Sequence, residues 1–275
     1  MMASESSNIH WHPAFIEAIK LELSDYRDSL EFFSELPLTA EPLRIDCIVI
    51  KKTKGLVITK NIASIFKEFN ILEYKSPADY VSVGDFYKVY GYACLYACLH
   101  KVPITNLTIS FIESRLPKKL FKHLRDIRGY MVEKTSPGIY TVKGDILPIQ
   151  IINNRQLSVE ENLWLKNLTD RLDLKGYLQI NTEIARLEET INVGAYLNVL
   201  VQANVNILEE AAKMSNAAKS LDEVLERTGI AAKWEAKAEE RKALNIARNM
   251  VNLGYSMENI ISATQLDSEK VKELL

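Results

Sequence analysis

Three charged side chains in the first third of the chain have the types and spacing of a hydrolytic metal site. Asp46 interrupts the apolar run of residues 43–50, which is otherwise typical of a buried strand. Glu73 and Lys75 flank Tyr74 in a second apolar run, so on a strand both charged side chains point to the same face. A carboxylate among core residues costs several kcal/mol unless it is paired or binds a metal. These residues therefore predict a site for a hard cation and a polarised water.

The predicted cation is Mg²⁺, which prefers oxygen ligands and keeps several of its waters. Asp46 and Glu73 are the predicted carboxylate ligands, and the backbone carbonyl of Tyr74 is a third. Lys75 would orient or deprotonate a water and stabilise charge on a phosphoryl oxygen. An ion pair at a sheet edge accounts for Glu73 and Lys75 about equally well. It does not account for Asp46, so the three residues together favour metal-assisted hydrolysis of a phosphodiester.

The elements that would position these residues follow an α/β pattern. Phe15, Ile19 and Leu23 recur on one face of a helix predicted from residue 13 to about residue 26, and Glu22 projects from that same face. A capping box at Ser82 predicts the start of a second helix. Strands are predicted at residues 30–36, 43–52, 71–75, 107–113, 130–133, 138–142 and 147–152, with a short hairpin return at residues 56–58. The capped helix continues over residues 86–99, and a further helix is predicted at residues 117–128. The order helix, three strands, helix, strand predicts a mixed sheet flanked by helices.

Composition narrows the class of protein. The 275 residues are 47% hydrophobic and 25% charged, which is ordinary for a soluble globular chain with an ample core. The formal net charge of −2 does not by itself indicate nucleic-acid binding. The first residues have no secretory pattern and no apolar run is long enough to span a bilayer, so we expect a cytoplasmic protein without a membrane partner.

The cysteines and the first histidines are weaker signals. Cys94 and Cys98 share a face of the second helix and are predicted to be small core thiols rather than metal ligands, because no third ligand is near them in sequence. His10 and His12 flank Trp11 and could bind a transition metal. The interpretation that the sequence favours is an irregular lead-in whose Trp11 packs on the domain.

The segments around the three charged residues resemble the PD-(D/E)XK nuclease superfamily, in its transposase-associated or recombination-promoting branch. The resemblance covers about the first 155 residues and is carried by residues 12–15, 43–46, 72–77, 85–93 and 148–152. It implies a restriction-endonuclease-like core in which Asp46 and Glu73 bind Mg²⁺, with Mn²⁺ as a substitute, and Lys75 assists the water. Ile45 stands where the family name has Pro. Glu22 matches the place of the family's optional acid on the first helix, which would make it a further metal ligand.

Composition changes near residues 153–155, and no proline follows Pro148. We therefore predict a nuclease-like catalytic domain at residues 1–154 and an all-helical region at residues 155–275. Gly254 is a predicted helix end, and Ser256 and Asp267 are predicted N-caps of two short helices. A helix–turn–helix and a small helical hairpin that packs or oligomerises both fit this tail. Its acidic side chains favour the hairpin.

The densest basic segment coincides with the predicted helix at 117–128. Its members are candidate DNA contacts, and a solvated helix face explains them about equally well: Lys118, Lys119, Lys122, Arg125 and Arg128. The expected function is a Mg²⁺-dependent DNA endonuclease associated with transposition or recombination. The alternative is a catalytically inactive nuclease-fold interaction protein acting through its helical tail, which would bind a partner or a second copy. A DNA-binding module that reads DNA with the tail is a third and weaker reading.

Overall fold

The computed structural model describes residues 9–34, 48–187, 191, 193–204, 206–207, 242–251 and 253–272. Asp46 lies outside the described residues. Contacts divide the chain into two units, Met1–Met214 and Ser215–Leu275. The first unit holds a β-sheet with its helices, and the second holds a small helical cluster. The predicted division at residue 154 and the all-helical character of the whole range 155–275 remain predictions.

The described part of the first unit is an α/β structure with one mixed sheet. Its strands are β1 (Leu30–Ser34), β2 (Ile48–Lys52), β3 (Phe69–Tyr74), β4 (Leu107–Glu113), β5 (Met131–Ser136), β6 (Ile139–Lys143) and β7 (Ile149–Asn153). Its helices are α1 (Trp11–Glu22), α2 (Val83–His100), α3 (Lys118–Asp126), α4 (Leu163–Asn167), α5 (Leu174–Arg186) and α6 (Gly194–Ala203). The strand order is β1-β2-β3-β4-β7-β6-β5. β4 runs parallel to β3 and to β7, and the other neighbours are antiparallel.

The central strands are buried on both faces, which explains their nearly continuous apolar sequences. On one face, Ile71 of β3 and Phe111 of β4 form a core with Phe86 of α2 and Leu120 of α3. On the other face, α1 packs against β3, where the Phe15 and Tyr74 rings stack. The predicted mixed sheet flanked by helices is therefore confirmed, and β3 lies in its interior.

The predictions for residues 56–58 and for the cysteines are wrong. Residues 56–58 do not form a strand, and Val57 is 78% exposed. The physical reason is that β2 already pairs with both β1 and β3, so a hairpin return has no free edge to join. Cys94 and Cys98 are exposed rather than buried. α2 is apolar on nearly every side, so its sequence does not reveal which side faces the sheet.

Helix starts follow the sequence more closely. At the capping box that begins α2, the Asp85 amide donates to Ser82 Oγ at 3.1 Å and the Ser82 amide donates to Asp85 Oδ2 at 2.9 Å. α1 begins at Trp11, earlier than predicted, so Trp11 and His12 belong to its first turn rather than to an irregular lead-in.

None of the described helices is both long enough and apolar enough to cross a membrane.

The second unit is built from short helical segments around Ala247, Ile260 and Val271. Residues 242–251 are helical, and they are followed by α7 (Met257–Thr264) and α8 (Ser268–Lys272). The Ser256 hydroxyl accepts from the Asn259 amide at 3.4 Å, and Asp267 Oδ1 accepts from the Glu269 amide at 3.2 Å. Both predicted N-caps are therefore confirmed, because a short polar side chain satisfies a free amide of the first turn.

Candidate active site

Glu73 and Lys75 meet at the carboxyl end of β3, on the face that α2 covers. Glu73 is the next-to-last residue of the strand and is 3% exposed, and Lys75 follows the strand directly. Lys75 Nζ lies 3.2 Å from Glu73 Oε1. The predicted placement of the two side chains on one face is confirmed, because residues two apart on an extended chain point the same way.

Asp85 completes this charged cluster. Lys75 Nζ donates to Asp85 Oδ1 at 2.8 Å, while the other oxygen of Asp85 accepts from the amide of Ser82. Asp85 thus holds the start of α2 and the Lys75 ammonium at once. Sequence reasoning assigned Asp85 only to the cap. Its contact with Lys75 depends on the fold, because the first turn of α2 lies beside the end of β3.

The cluster fixes Lys75 as a cation. Burial by itself would lower the pKa of Lys75, but the hydrogen bond and charge of Asp85 and the charge of Glu73 outweigh burial and hold that pKa above its ordinary value. Burial would raise the pKa of Asp85, and the bonds from Lys75 and Ser82 lower it instead. This geometry suits a lysine that orients a water and stabilises negative charge better than one that removes a proton.

Glu113 is a further acid beside the cluster that sequence reasoning missed. It ends β4, which runs parallel to β3, and it is 0% exposed. Its Oε2 accepts from the Val81 amide at 3.0 Å, and its Oε1 has no hydrogen-bond partner among the described residues. Burial raises the pKa of Glu113 to about 8, and repulsion from Asp79 and Asp85 adds to the effect of burial. The sequence signal that could have identified Glu113 is its position as an acid at the end of a predicted buried strand.

An open cleft of about 350 Å³ reaches this region. Its lining consists of His12, Glu73, Tyr74, Lys75, Ser76, Asp79 and Lys88. A larger groove of about 870 Å³ lies along α4 and α5, and its lining combines Trp164 and aliphatic side chains with polar and charged ones, among them Glu160, Lys175 and Glu183. The smaller cleft is the one that contains the paired Glu73 and Lys75. We therefore place the candidate chemistry in the smaller cleft.

The predicted metal ligands are described only in part. Glu73 supplies a carboxylate and Tyr74 a strand carbonyl, which are the oxygen donors that Mg²⁺ prefers. Asp46 lies outside the described residues. Within the described ranges, no group of three or more His, Cys, Asp or Glu side chains could hold a metal ion. The ligand atoms at this end of β3 are oxygens and so are of the type that Mg²⁺ prefers. The second carboxylate of the predicted ligand set is that of Asp46.

Glu22 is engaged elsewhere in the fold. Its Oε1 accepts from the Leu165 amide at 2.9 Å, and its Oε2 lies 3.2 Å from Lys60 Nζ. Burial raises the pKa of Glu22, while the Leu165 amide and Lys60 partly offset that effect. Glu17, one turn earlier on the same helix, accepts from the Tyr196 amide at 2.7 Å. Both acids of α1 thus hold the starts of other helices, α4 and α6, and the structure does not bring Glu22 to the cleft.

The predicted DNA contacts divide into two kinds. Four are exposed on α3 or at its start and form no salt bridge with another described residue: Lys118, Lys119, Lys122 and Arg125. Arg128 lies beyond α3, where its guanidinium is 3.2 Å from Asp145 Oδ2 and packs on the Tyr130 ring. The first four are available to a polyanion, whereas Arg128 ties the end of α3 to the loop before β7.

Comparison of the chain with protein-family models, with curated proteins and with solved structures finds no match. The features that bear on function are the fold, the geometry of the cleft and the residues that carry the resemblance. Among these, the cluster of Glu73, Lys75 and Asp85 is the most specific observation, because it joins a sequence pattern to a defined arrangement of charges.

Proposed function

We propose that the chain is a Mg²⁺-dependent DNA endonuclease of the PD-(D/E)XK superfamily, in the transposase-associated or recombination-promoting branch. The observation that carries the proposal is the pairing of Glu73 and Lys75 in a cleft at the carboxyl end of β3. The placement of α1 before these strands and of α2 after β3 supports it, since the resemblance includes a helix before and a helix after the acidic segments. Its setting is the cytoplasm, where the exposed Cys94 and Cys98 stay reduced.

The position of β3 favours chemistry over a simple surface ion pair. An ion pair at a sheet edge needs no further explanation, but β3 lies between β2 and β4 in the sheet. Charged side chains on an interior strand are costly to bury unless other groups balance them. Glu73, Lys75 and Asp85 balance one another there, and the open cleft beside them supports a chemical role for the pair.

The resemblance supplies Asp46 as the proposed second acid. It stands two residues before Ile48, at which the described part of β2 begins. Asp46, Glu73 and the Tyr74 carbonyl would hold Mg²⁺, or Mn²⁺ in its place. When bound, such an ion polarises a water and offsets negative charge on the phosphoryl oxygens.

The protein's own contribution is orientation and charge. The Lys75 ammonium, held between Glu73 and Asp85, can donate to a water or to a phosphoryl oxygen without moving far from its partners. Because Lys75 stays charged, it favours the extra negative charge that develops on phosphorus-bound oxygens during attack. Asp85 acts through Lys75 and is therefore a positioning residue.

DNA is the proposed substrate because the cleft adjoins a cationic helix. Lys88 of α2 lines the cleft, and the adjacent Tyr87 bonds to His123 of α3 with an oxygen–nitrogen distance of 2.9 Å. This contact joins α2 to the helix that carries Lys118, Lys119, Lys122 and Arg125. These side chains suit phosphates, which carry no sequence information, so we propose binding that depends on salt and weakly on sequence.

The test is nicking of supercoiled plasmid at low salt with Mg²⁺ or Mn²⁺. We expect cleavage by the wild type and a loss of about 100-fold or more in Asp46→Asn, Glu73→Gln and Lys75→Ala. Lys134→Ala is the matched control, because Lys134 is exposed on the edge strand β5 and away from the cleft lining. Equal cleavage by the wild type and by all three of these variants would contradict the proposal.

One observation favours the alternative of an inactive interaction protein. The second unit exposes Ile246, Leu253 and Tyr255, which are large apolar side chains on a small helical cluster. Self-association through this unit would make a homo-oligomer without any chemistry. Light scattering on the full chain and on Leu253→Ser tests this candidate. A folded wild type that never cleaves DNA, together with an oligomer lost in Leu253→Ser, would favour it.

A further inference from the structure

His12 belongs to the cleft through the packing of α1. The Phe15 and Tyr74 rings stack with centroids 4.5 Å apart and planes 11° from parallel, which fixes the first turns of α1 against the end of β3. His12 precedes Phe15 by three residues and so lies on the same side of the helix. The imidazole accordingly lines the same cleft as Glu73 and Lys75.

The imidazole has a buried atom with an unused hydrogen-bonding capacity. His12 Nε2 is shielded from solvent and has no hydrogen-bond partner among the described residues. Buried polar nitrogen atoms are rarely left in this state, and those that are often lie at sites that bind a ligand. The ligand expected here is one that enters the cleft deeply enough to meet Nε2.

The hydrogen-bond donors around His12 suit an anion as that ligand. Lys75, Lys88 and Ser76 line the cleft as donors, and its two carboxylates are Glu73, which is paired with Lys75, and Asp79. The first turn of α1 carries no acidic residue, and the positive end of a helix favours an anion. A phosphodiester offers oxygen acceptors to all of these groups.

We propose that His12 contacts the substrate, donating a hydrogen bond from Nε2 to a non-bridging oxygen of a DNA phosphate bound in the cleft, with Lys88 supplying charge beside it. This inference rests on the proposed function, since it assigns the phosphate-binding side of the same site. It gives the cleft two sides: the Glu73 side holds the metal, and the His12 side holds the substrate.

The test measures DNA affinity without turnover. A short fluorescently labelled duplex is titrated with protein in Ca²⁺ instead of Mg²⁺, and anisotropy reports binding. We expect His12→Gln to weaken affinity about tenfold, as for one hydrogen bond to a charged group. His10→Gln is the matched control, because His10 is exposed, precedes α1 and does not line the cleft. Its affinity should equal that of the wild type.

Two further readouts separate contact from packing. Thermal unfolding should be the same for His12→Gln and His10→Gln, and the ¹⁵N resonances of the His12 ring should shift when the duplex is added. Affinity and ring resonances unchanged at His12 would overturn the inference, as would a wild type that does not bind the duplex.

The results that would reject the proposed nuclease function differ from those that would reject the role of His12. Cleavage that survives in Glu73→Gln and Lys75→Ala, or no cleavage at all, would reject the nuclease assignment. The contribution of His12 to DNA affinity would still be read from the anisotropy, because binding in Ca²⁺ does not require the cleavage reaction.

Discussion

Two buried glutamate–lysine pairs in the first unit have the same nitrogen–oxygen distance, 3.2 Å, and different surroundings. Glu22 pairs with Lys60, and its second oxygen accepts from the amide of Leu165, so both of its oxygens are used within the fold. Glu73 pairs with Lys75 beside an open cleft. Burial and pairing alone therefore do not identify a functional acid. The cleft distinguishes the second pair from the first, together with the nearby His12 Nε2 and Glu113 Oε1, which are buried and have no hydrogen-bond partner in the part of the chain that the structure describes.

Replacing the cleft acid should give the largest effect. We expect Glu73→Gln to reduce the cleavage rate by about 100-fold to 1000-fold, because the neutral amide neither binds Mg²⁺ as well nor balances Lys75. The measurement is single-turnover plasmid nicking at saturating Mg²⁺. If the two pairs were equivalent, Glu22→Gln would reduce the rate per folded molecule as much as Glu73→Gln does.

Glu113→Gln should change how stability depends on pH. Burial raises the pKa of Glu113 to about 8 from an ordinary value of 4.5, so between those pH values the folded chain holds a proton that the unfolded chain has lost. Stability therefore falls as pH rises through this window, by up to about 1.4 kcal/mol for each pH unit. The groups that face Glu113 are Asp79, Asp85 and Lys75.

Urea unfolding of wild type and Glu113→Gln from pH 5 to pH 8 measures this contribution. The free energy of unfolding of the variant should fall less as pH rises, because its side-chain amide stays neutral and still accepts from the Val81 amide. Parallel stability curves for the two proteins would show that the pKa of Glu113 is not raised in the folded chain.

Glu22→Ala should act on stability and leave chemistry intact. The change leaves the Lys60 ammonium and the Leu165 amide without their partner, which costs about 1–3 kcal/mol. Urea unfolding measures the loss, and nicking by the folded variant should match the wild type. A loss of cleavage greater than the loss of folded protein would return Glu22 to the candidate metal ligands.

Charge removal on α3 should give the smallest effect. Each of Lys118→Ala and Lys122→Ala should weaken duplex binding only modestly and lower the slope of log affinity against log salt by about one. Glu258→Gln, on the surface of the second unit, is a control that should leave the slope unchanged. Salt titration of duplex affinity gives the slopes, and an unaltered slope in both α3 variants would indicate a solvated helix face.

The local features of the fold could be read from the chain directly. Alternation along a strand places Glu73 and Lys75 on one face, and the capping box at Ser82 and Asp85 fixes the start of α2. These predictions succeed because each depends on residues a few positions apart. The prediction of a strand at residues 56–58 fails because it depends on whether a distant edge of the sheet is free.

The sequence by itself determined the charged pair at the end of β3, the cap of α2 and the alternation of helices and strands. Only the tertiary structure decided that Glu22 serves the start of α4, since its partner Leu165 is 143 residues away. It also decided that Glu113 approaches Lys75, because this requires β4 to lie parallel to β3. The physical reason is range: backbone geometry fixes near neighbours, whereas the environment of a buried charge depends on segments that meet only after the sheet has formed.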